Sequence, residues 1–460
     1  MKYTDRGVDE IKIAYIGGGS RGWAWKLMSD LATAEDISGR VDLYDIDFTA
    51  AKHNEIIGNK FNYAEGARSH WTYQARDCIG DALSNADFVV ISILPATFDE
   101  MESDVHTPEK YGIYQPVGDT TGPGGIIRAL RTIPMMEYIA SEIKKHCPDA
   151  WVINYTNPMA ACVNALYKTF PEIKAFGCCH EVFGVQRLIA RAISEYTGEE
   201  ITDHKKIKTS VLGVNHFTWI TEAKYRDIDA FKIYSDFVNK YCESGIQKAN
   251  PDSFFECEHK VKFDLFRKYG VIAAAGDRHL AEFCDGGLYL KDKNQVSDWG
   301  FSLTPVSWRK KALADRMERS RRLREGEEEV KIENTGEDGV RQIRALLGIE
   351  DYITNVNLPN RGQVSNLPLG AVVETNAIFR DDSVEPVFAG DIPDNILPLV
   401  SRAAEAQLTV VKAAITRDLE LAFEAFKNDP LVTVDTTSAR ALFDEMVDNT
   451  KEYLKGYFTK

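Results

Sequence analysis

The sequence predicts an α/β fold, with an N-terminal doubly wound parallel sheet followed by a C-terminal α+β domain. Three observations carry that expectation. Short β-branched runs alternate with helical stretches through residues 1–200, the rhythm of strands joined by helical crossovers. Runs such as Asp87-Phe88-Val89-Val90-Ile91-Ser92-Ile93-Leu94 are apolar without alternation, which suits strands buried on both faces of a parallel sheet. From Lys206 the rhythm gives way to helical segments with irregular connections. The boundary therefore falls at 200/201, giving a Rossmann-like domain over 1–200 and an α+β domain over 201–460.

Taken in order, strands are expected at Ile11–Ile16, Val41–Tyr44, Trp71–Ala75, Phe88–Leu94, Trp151–Asn154 and Ile173–Phe176, with Ile207–Val214 opening the second region. Arg309–Lys331 mixes both charge signs through Arg319, Arg321, Arg322, Glu325, Glu327, Glu328 and Glu329 and reads as a solvated helix. Apolar residues recur at helical spacing from Ile396 to Phe426, as a core-packing stretch requires. No internal repeat or low-complexity tract interrupts the chain.

Composition excludes several classes of function. Lys and Arg number 55 against 70 Asp and Glu, a formal charge of −15, and nucleic-acid binding needs a basic footprint instead. With 44% hydrophobic and 27% charged residues, the chain is an ordinary globular one. Its longest apolar runs, Phe88–Ala96 and Val271–Ala275, fall far short of the ~20 residues that span a bilayer. Met1–Lys12 mixes charges where a signal peptide would be basic and then apolar, so a cytoplasmic location is expected. Eight cysteines at 78, 147, 162, 178, 179, 242, 257 and 284 form no CxxC pair and read as reduced thiols.

The first strand runs into Gly17-Gly18-Gly19-Ser20-Arg21-Gly22 and then a helix from about Trp23. Gly17, Gly19 and Gly22 have the GxGxxG spacing of a tight turn over which a pyrophosphate can lie, with Ser20 and the helix amides facing the phosphates. Asp45 ends the second strand, where a carboxylate accepts hydrogen bonds from a ribose 2′-OH and favours NAD. A glycine turn alone is a weak signal; strand, helix and carboxylate together raise it above a plain turn.

Four segments gather polar residues where strands end: Gly118-Asp119-Thr120-Thr121-Gly122-Pro123-Gly124-Gly125, Asn154-Tyr155-Thr156-Asn157-Pro158-Met159, Gly177-Cys178-Cys179-His180-Glu181 and Gly213-Val214-Asn215-His216-Phe217. A thiolate and an imidazole from the last two suit a borderline divalent ion, although spacing alone equally fits a buried cysteine and a core histidine. With Gly276-Asp277-Arg278-His279-Leu280-Ala281-Glu282-Phe283 and Asn355–Pro368, these motifs resemble, over nearly the whole chain, the NAD-dependent glycosidases of glycoside hydrolase family 4, most of all its α-galacturonidase branch. That family departs from two-carboxylate glycosidase chemistry.

The resemblance implies hydrolysis by a redox cycle: oxidation at C3, loss of the C2 proton, elimination at C1, water addition and re-reduction by the same NAD. It implies Cys179 and His216 as ligands of Mn²⁺ or another divalent ion, His180 as proton donor, Asn157 as a substrate contact, and Asn154 on the nicotinamide side. The C2 base stays open between Asp277 and Tyr269, and Asp119 is a second acidic site residue. Phosphoglucosidase relatives carry an arginine after the fourth strand, whereas Ile93-Leu94-Pro95-Ala96 has none; a phosphorylated substrate is therefore disfavoured. Arg278 and Arg361 are candidates to hold a uronate carboxylate, each equally able to form a local salt bridge. A homodimer or homotetramer is also implied. Competing readings are an α-galactosidase or α-glucuronidase on the same scaffold, a 2-hydroxy-acid dehydrogenase, and a non-enzymatic NAD-sensing module.

Overall fold

The apolar runs of the first half pair with one another in parallel, as their lack of alternation requires. The computed structural model describes residues 1–333 and 335–458. Its strands are β1 Lys2–Thr4, β2 Gly7–Ile16, β3 Ile37–Tyr44, β4 Trp71–Arg76, β5 Phe88–Ile91, β6 Trp151–Asn154, β7 Lys174–Gly177, β8 Lys208–Val214, β9 Phe217–Tyr225, β10 Ile228–Asp229, β11 Ile272–Ala273, β12 Tyr352–Pro359, β13 Val372–Arg380 and β14 Ser383–Pro386. The main sheet runs β14-β13-β12-β7-β6-β5-β2-β3-β4, with β1 on β2. Within it β7-β6-β5-β2-β3-β4 are parallel. Their order reverses between β2 and β5, where a doubly wound sheet opens a crevice at its carboxyl ends.

Both faces of this sheet are covered. Ile13 and Tyr15 pack with Val41, Leu43 and Val90 on one side, while Ala14 and Ile16 meet Val89, Ile91 and the helix residues Ile126 to Ile143 on the other. That helix, Gly122–His146, is 25 residues long. It starts hard against the loop before it: a Cβ on Gly125 would stand 2.5 Å from the Thr120 carbonyl carbon, so only glycine lets helix and loop approach this closely.

The structure departs from the sequence reading at several points. Strand β5 stops at Ile91 because the amide of Ile93 turns to Thr156 Oγ1 at 2.9 Å. Strands β12 to β14 were not foreseen; β12 lies antiparallel to β7 through Asn357 and Gly177, so the regions divided at 200/201 share one sheet. The Ile396–Phe426 stretch is two helices, Leu397–Thr416 and Leu419–Lys427, parted where Arg417 takes φ 56°. In the helix Val306–Glu325 the charged network faces solvent as expected, with Arg321 on Glu318 and Glu327 and Arg322 on Glu328, pairs that solvent screening leaves weak. Arg309 in its first turn instead points inward, with its Nε buried.

A second sheet gathers β8, β10 and β11 on β9. Val214 opposite Phe217 leaves Asn215-His216 as a tight turn. Val211 N donates to Asn376 Oδ1 at 2.8 Å, tying this sheet to β13. Among the described residues no helix is long and apolar enough to cross a membrane.

Helix Gly122–His146 is also fastened to Phe98–His106 by an ion pair with no exposed side-chain surface, Arg131 donating to both Asp104 oxygens at 3.0 and 2.5 Å. Removing one partner strands a buried charge, at a cost of roughly 3–5 kcal/mol. Asp104→Ala is expected to lower the unfolding free energy by that amount, and Asp104→Leu combined with Arg131→Met by less. Denaturant titration of the three proteins checks the order.

Candidate functional site

The glycine turn lies at the switch point of the sheet. Gly17 has φ 94°, and a Cβ there would lie 2.1 Å from the Ser92 carbonyl oxygen, so no other residue fits. The amides of Gly17 and Gly18 donate to Tyr44 O, and Asn54 Nδ2 donates to the carbonyls of Gly18 and Ser20. Asp45 accepts from Gly19 N at 2.9 Å and from Asp47 N at 2.9 Å. Gly22 precedes the helix Trp23–Thr33 without a side-chain cap, facing open space. Past Asp45, Ile46 is 96% exposed, an apolar side chain placed where an adenine could cover it. Carboxylate, uncapped helix start and apolar rim fit a dinucleotide.

The chemical centre is Asp119. Its Oδ2 accepts from Asn157 Nδ2 at 3.2 Å, and its Oδ1 from Thr120 Oγ1 at 2.7 Å. Thr120 Oγ1 also lies 2.8 Å from His216 Nδ1. His216 and His279 rings are 3.8 Å apart, and donor atoms of Asp119, His216 and His279 all lie within 4.8 Å of one another. Burial would raise the Asp119 carboxyl, but His279, His216, Arg128 and the Thr120 bond outweigh it and hold it below the usual range. Burial, reinforced by His216, pushes His279 down to about 3, and burial also lowers His216. Neutral imidazoles beside an ionised carboxylate, with His279 Nδ1 lacking a hydrogen-bond partner among the described residues, are a donor set for a borderline divalent cation.

Around this centre the expected residues divide. Asn157 joins it and keeps a buried, unpartnered Oδ1, while its carbonyl accepts from Arg128 Nε at 3.1 Å. His180 caps the helix Glu181–Thr197, with Nδ1 3.5 Å from Glu337 Oε1 and Trp23 stacked 6.0 Å away. The Glu337 bond raises its pKa against the effect of burial. Arg278 is 7% exposed and donates Nη2 to Pro116 O and Thr304 Oγ1.

Others are placed elsewhere. Cys179 is not in the trio; it packs among Met159, Ala160, Val163 and Val372, and burial, then Glu374 and Glu181, keep its thiol protonated despite the neighbouring Asn215 side chain. Asn154 is buried with its amide and carbonyl both spent on Thr156, so it shapes the turn instead of facing the nicotinamide. Arg361 is exposed over the Tyr167 ring. As C2 base Asp277 is contradicted: it has no exposed surface, Oδ1 pairs with Lys262 Nζ at 2.8 Å, and Oδ2 accepts from Val261 N. Its neighbours Cys257 and His259 complete a second donor cluster, but the Lys262 ammonium, bonded to Asp277 and within 3.8 Å of Cys257 Sγ, already supplies the cation. Tyr269 meets Trp219 edge-on and gives its carbonyl to Asn395, contacts that belong to packing.

Comparison with known proteins bears on this arrangement. Residues 12–195 match the model of the family 4 glycosyl hydrolases, and residues 211–432 match that of the family 4 C-terminal domain. The chain is 60% identical to an α-galacturonidase of Thermoanaerobacterium saccharolyticum over 100% of both chains. It is 51% identical to one of Bacillus subtilis, covering 96% of this chain and 97% of the other. The chain belongs to the family 4 glycosyl hydrolases. The fold of this family 4 hydrolase also matches a 6-phospho-α-glucosidase from gut microorganisms in complex with NAD and Mn²⁺, with TM-score 0.76 at 18% identity over 96% of this chain and 99% of the other.

Several residues of the hydrolase's site escaped the sequence reading. His279 and Glu282 lie in the quoted 276–283 motif, three apart on the helix Asp277–Phe283 and hence on one face. Glu181 Oε2 accepts from Gly276 N at 2.7 Å, joining two motifs. Glu282 Oε1 accepts from Val117 N at 2.7 Å and Gly118 N at 2.9 Å, pinning the loop that carries Asp119.

Burial pushes Glu282 up to about 8 from its ordinary 4.5, against those two amide bonds. Between these values the folded hydrolase holds a proton that the unfolded chain has lost. This contribution to stability is full below pH 4.5 and is lost as pH rises through 8. Glu282→Gln keeps the acceptor and removes the titration. Melting temperatures of the metal-free protein from pH 5 to 9 are expected to fall less steeply in the variant than in the parent; parallel curves would refute the assignment.

Proposed function

We propose that this hydrolase cleaves α-galacturonides with the help of NAD and a divalent ion such as Mn²⁺, by oxidation at C3, loss of the C2 proton, elimination, water addition and re-reduction. The observation that carries the reading is the cluster of metal-ligand donors Asp119, His216 and His279 in a chain that is 51–60% identical, over nearly its whole length, to α-galacturonidases. When bound, the dinucleotide supplies a reversible hydride acceptor and the ion a Lewis acid. Asp119, His216 and His279 would hold the ion.

The chain's own groups do the rest. Asn157 Oδ1, buried and unpartnered, accepts from a sugar hydroxyl. His180, its Nδ1 turned to Glu337, presents Nε2 to the glycosidic oxygen; its raised pKa keeps a proton available at neutral pH. Arg278 stands by with its Nε unpartnered for an anionic substituent.

Assays of p-nitrophenyl α-galacturonide, α-galactoside and α-glucuronide with and without NAD, Mn²⁺ and reductant test this. Turnover of the galacturonide that requires both additions is expected. Cleavage of the galactoside alone, indifference to NAD, or stoichiometric NADH from hydroxy acids would overturn it. His279→Asn is expected to weaken Mn²⁺ binding by roughly 10–100-fold in a calorimetric titration while NAD still binds.

A further inference from the structure

A chain of net charge −15 that takes an anionic sugar needs local countercharge, and one cation inside the pocket has no assigned task. Arg309 begins the helix Val306–Glu325. Its neighbour Lys310 reaches outward to Asp99 at 2.6 Å and to Glu102, whereas Arg309 buries its Nε without a hydrogen-bond partner among the described residues. The charged groups that act on it are Asp119, Arg278, Arg316 and Glu282.

Arg278 has the same unusual standing. Its Nε is buried and without a partner among the described residues, and Nη2 is anchored on Pro116 O at 2.9 Å and Thr304 Oγ1 at 2.5 Å. Thr304 lies just before the helix that carries Arg309, so the same segment fixes both guanidinium groups. Phe255 lies over Arg278 at 5.2 Å and packs edge-on against Trp308 at 5.3 Å, completing one wall. Glu282 is raised to about 8 and so uncharged at neutral pH; the ionised carboxylates left are Asp119, which already holds Asn157 and Thr120, and Glu181, which acts on Arg278 and already accepts from Gly276 N. Two guanidinium groups whose buried Nε atoms have no partner among the described residues, beside carboxylates already committed to other donors, leave room for a further planar anion, which a guanidinium fork binds in a bidentate manner.

We propose that Arg309, together with Arg278, binds the C6 carboxylate of the substrate and is the residue that selects a uronide over the neutral sugar. This rests on the α-galacturonide reading. Arg361, exposed over Tyr167, takes no part.

The test uses the full-length enzyme loaded with NAD and Mn²⁺, and compares the parent with Arg309→Gln and Arg309→Lys. Calorimetric binding of D-galacturonate and D-galactose is measured beside the kinetics on p-nitrophenyl α-galacturonide. Losing a charge-assisted pair is expected to weaken galacturonate binding and raise KM by about 10- to 100-fold in Arg309→Gln, with kcat changed far less and galactose affinity unmoved. Arg309→Lys is expected to recover part of the loss. Unaltered galacturonate affinity in Arg309→Gln, or equal losses for both sugars, would overturn the proposal while the α-galacturonide reading stood. A parent enzyme that cleaves the galactoside and ignores the galacturonide would instead remove the reading itself. NAD binding reports folding; if Arg309→Gln loses it, the galacturonate-to-galactose ratio in Arg309→Lys decides, a ratio equal to the parent's counting against the proposal.

Discussion

The carboxylate of Asp119 is the contact on which the site depends. It lies on the loop between the helices Phe98–His106 and Gly122–His146, yet it is held by Asn157 from the end of β6 and, through Thr120, by His216 from the turn after β8. His279 closes the group from the start of a third element. Four segments distant in sequence are thus brought together by one half-buried charge. Such a charge is tolerable only with opposing charge and full hydrogen bonding, which Arg128 and the surrounding donors supply.

Much of the nearby architecture follows from serving that junction. The glycine at 125 lets the long helix start against Thr120. Glu282 pins the loop from the other side through two amides. His216 sits at φ 63°, a left-handed conformation that costs a non-glycine residue about 1–2 kcal/mol and that aims its ring at Thr120. Below it, Glu374 accepts from Asn215 and Asn355, so β12 and β13 buttress the turn from the sheet they extend. Strain and buried polarity are concentrated where pre-organisation is useful.

What the sequence revealed and what it hid have physical causes. The parallel strands were legible because Val89, Val90 and Ile91 must be buried on both faces, and the glycine turn because Gly17 can have no side chain. Strands β12 and β13 were hidden because Asn355, Asn357 and Glu374 interrupt their apolar pattern to support the site. Motif positions identified Asp119, Asn157, His180 and His216, but not which donors converge. Asp277 and His279 are two residues apart on one short helix; the first turns to Lys262 and the second to His216, a choice set by packing across the chain. Arg309 looked like its charged neighbours because inward and outward arginines share a composition and differ only in helical phase.

Diffraction at the manganese absorption edge, from crystals soaked with Mn²⁺ and galacturonate, tests the account most directly. It predicts one anomalous peak at the centre of the pocket with Asp119, His216 and His279 as protein ligands. A peak beside Cys257 and His259, or one whose protein ligands exclude both Asp119 and His279, would contradict it.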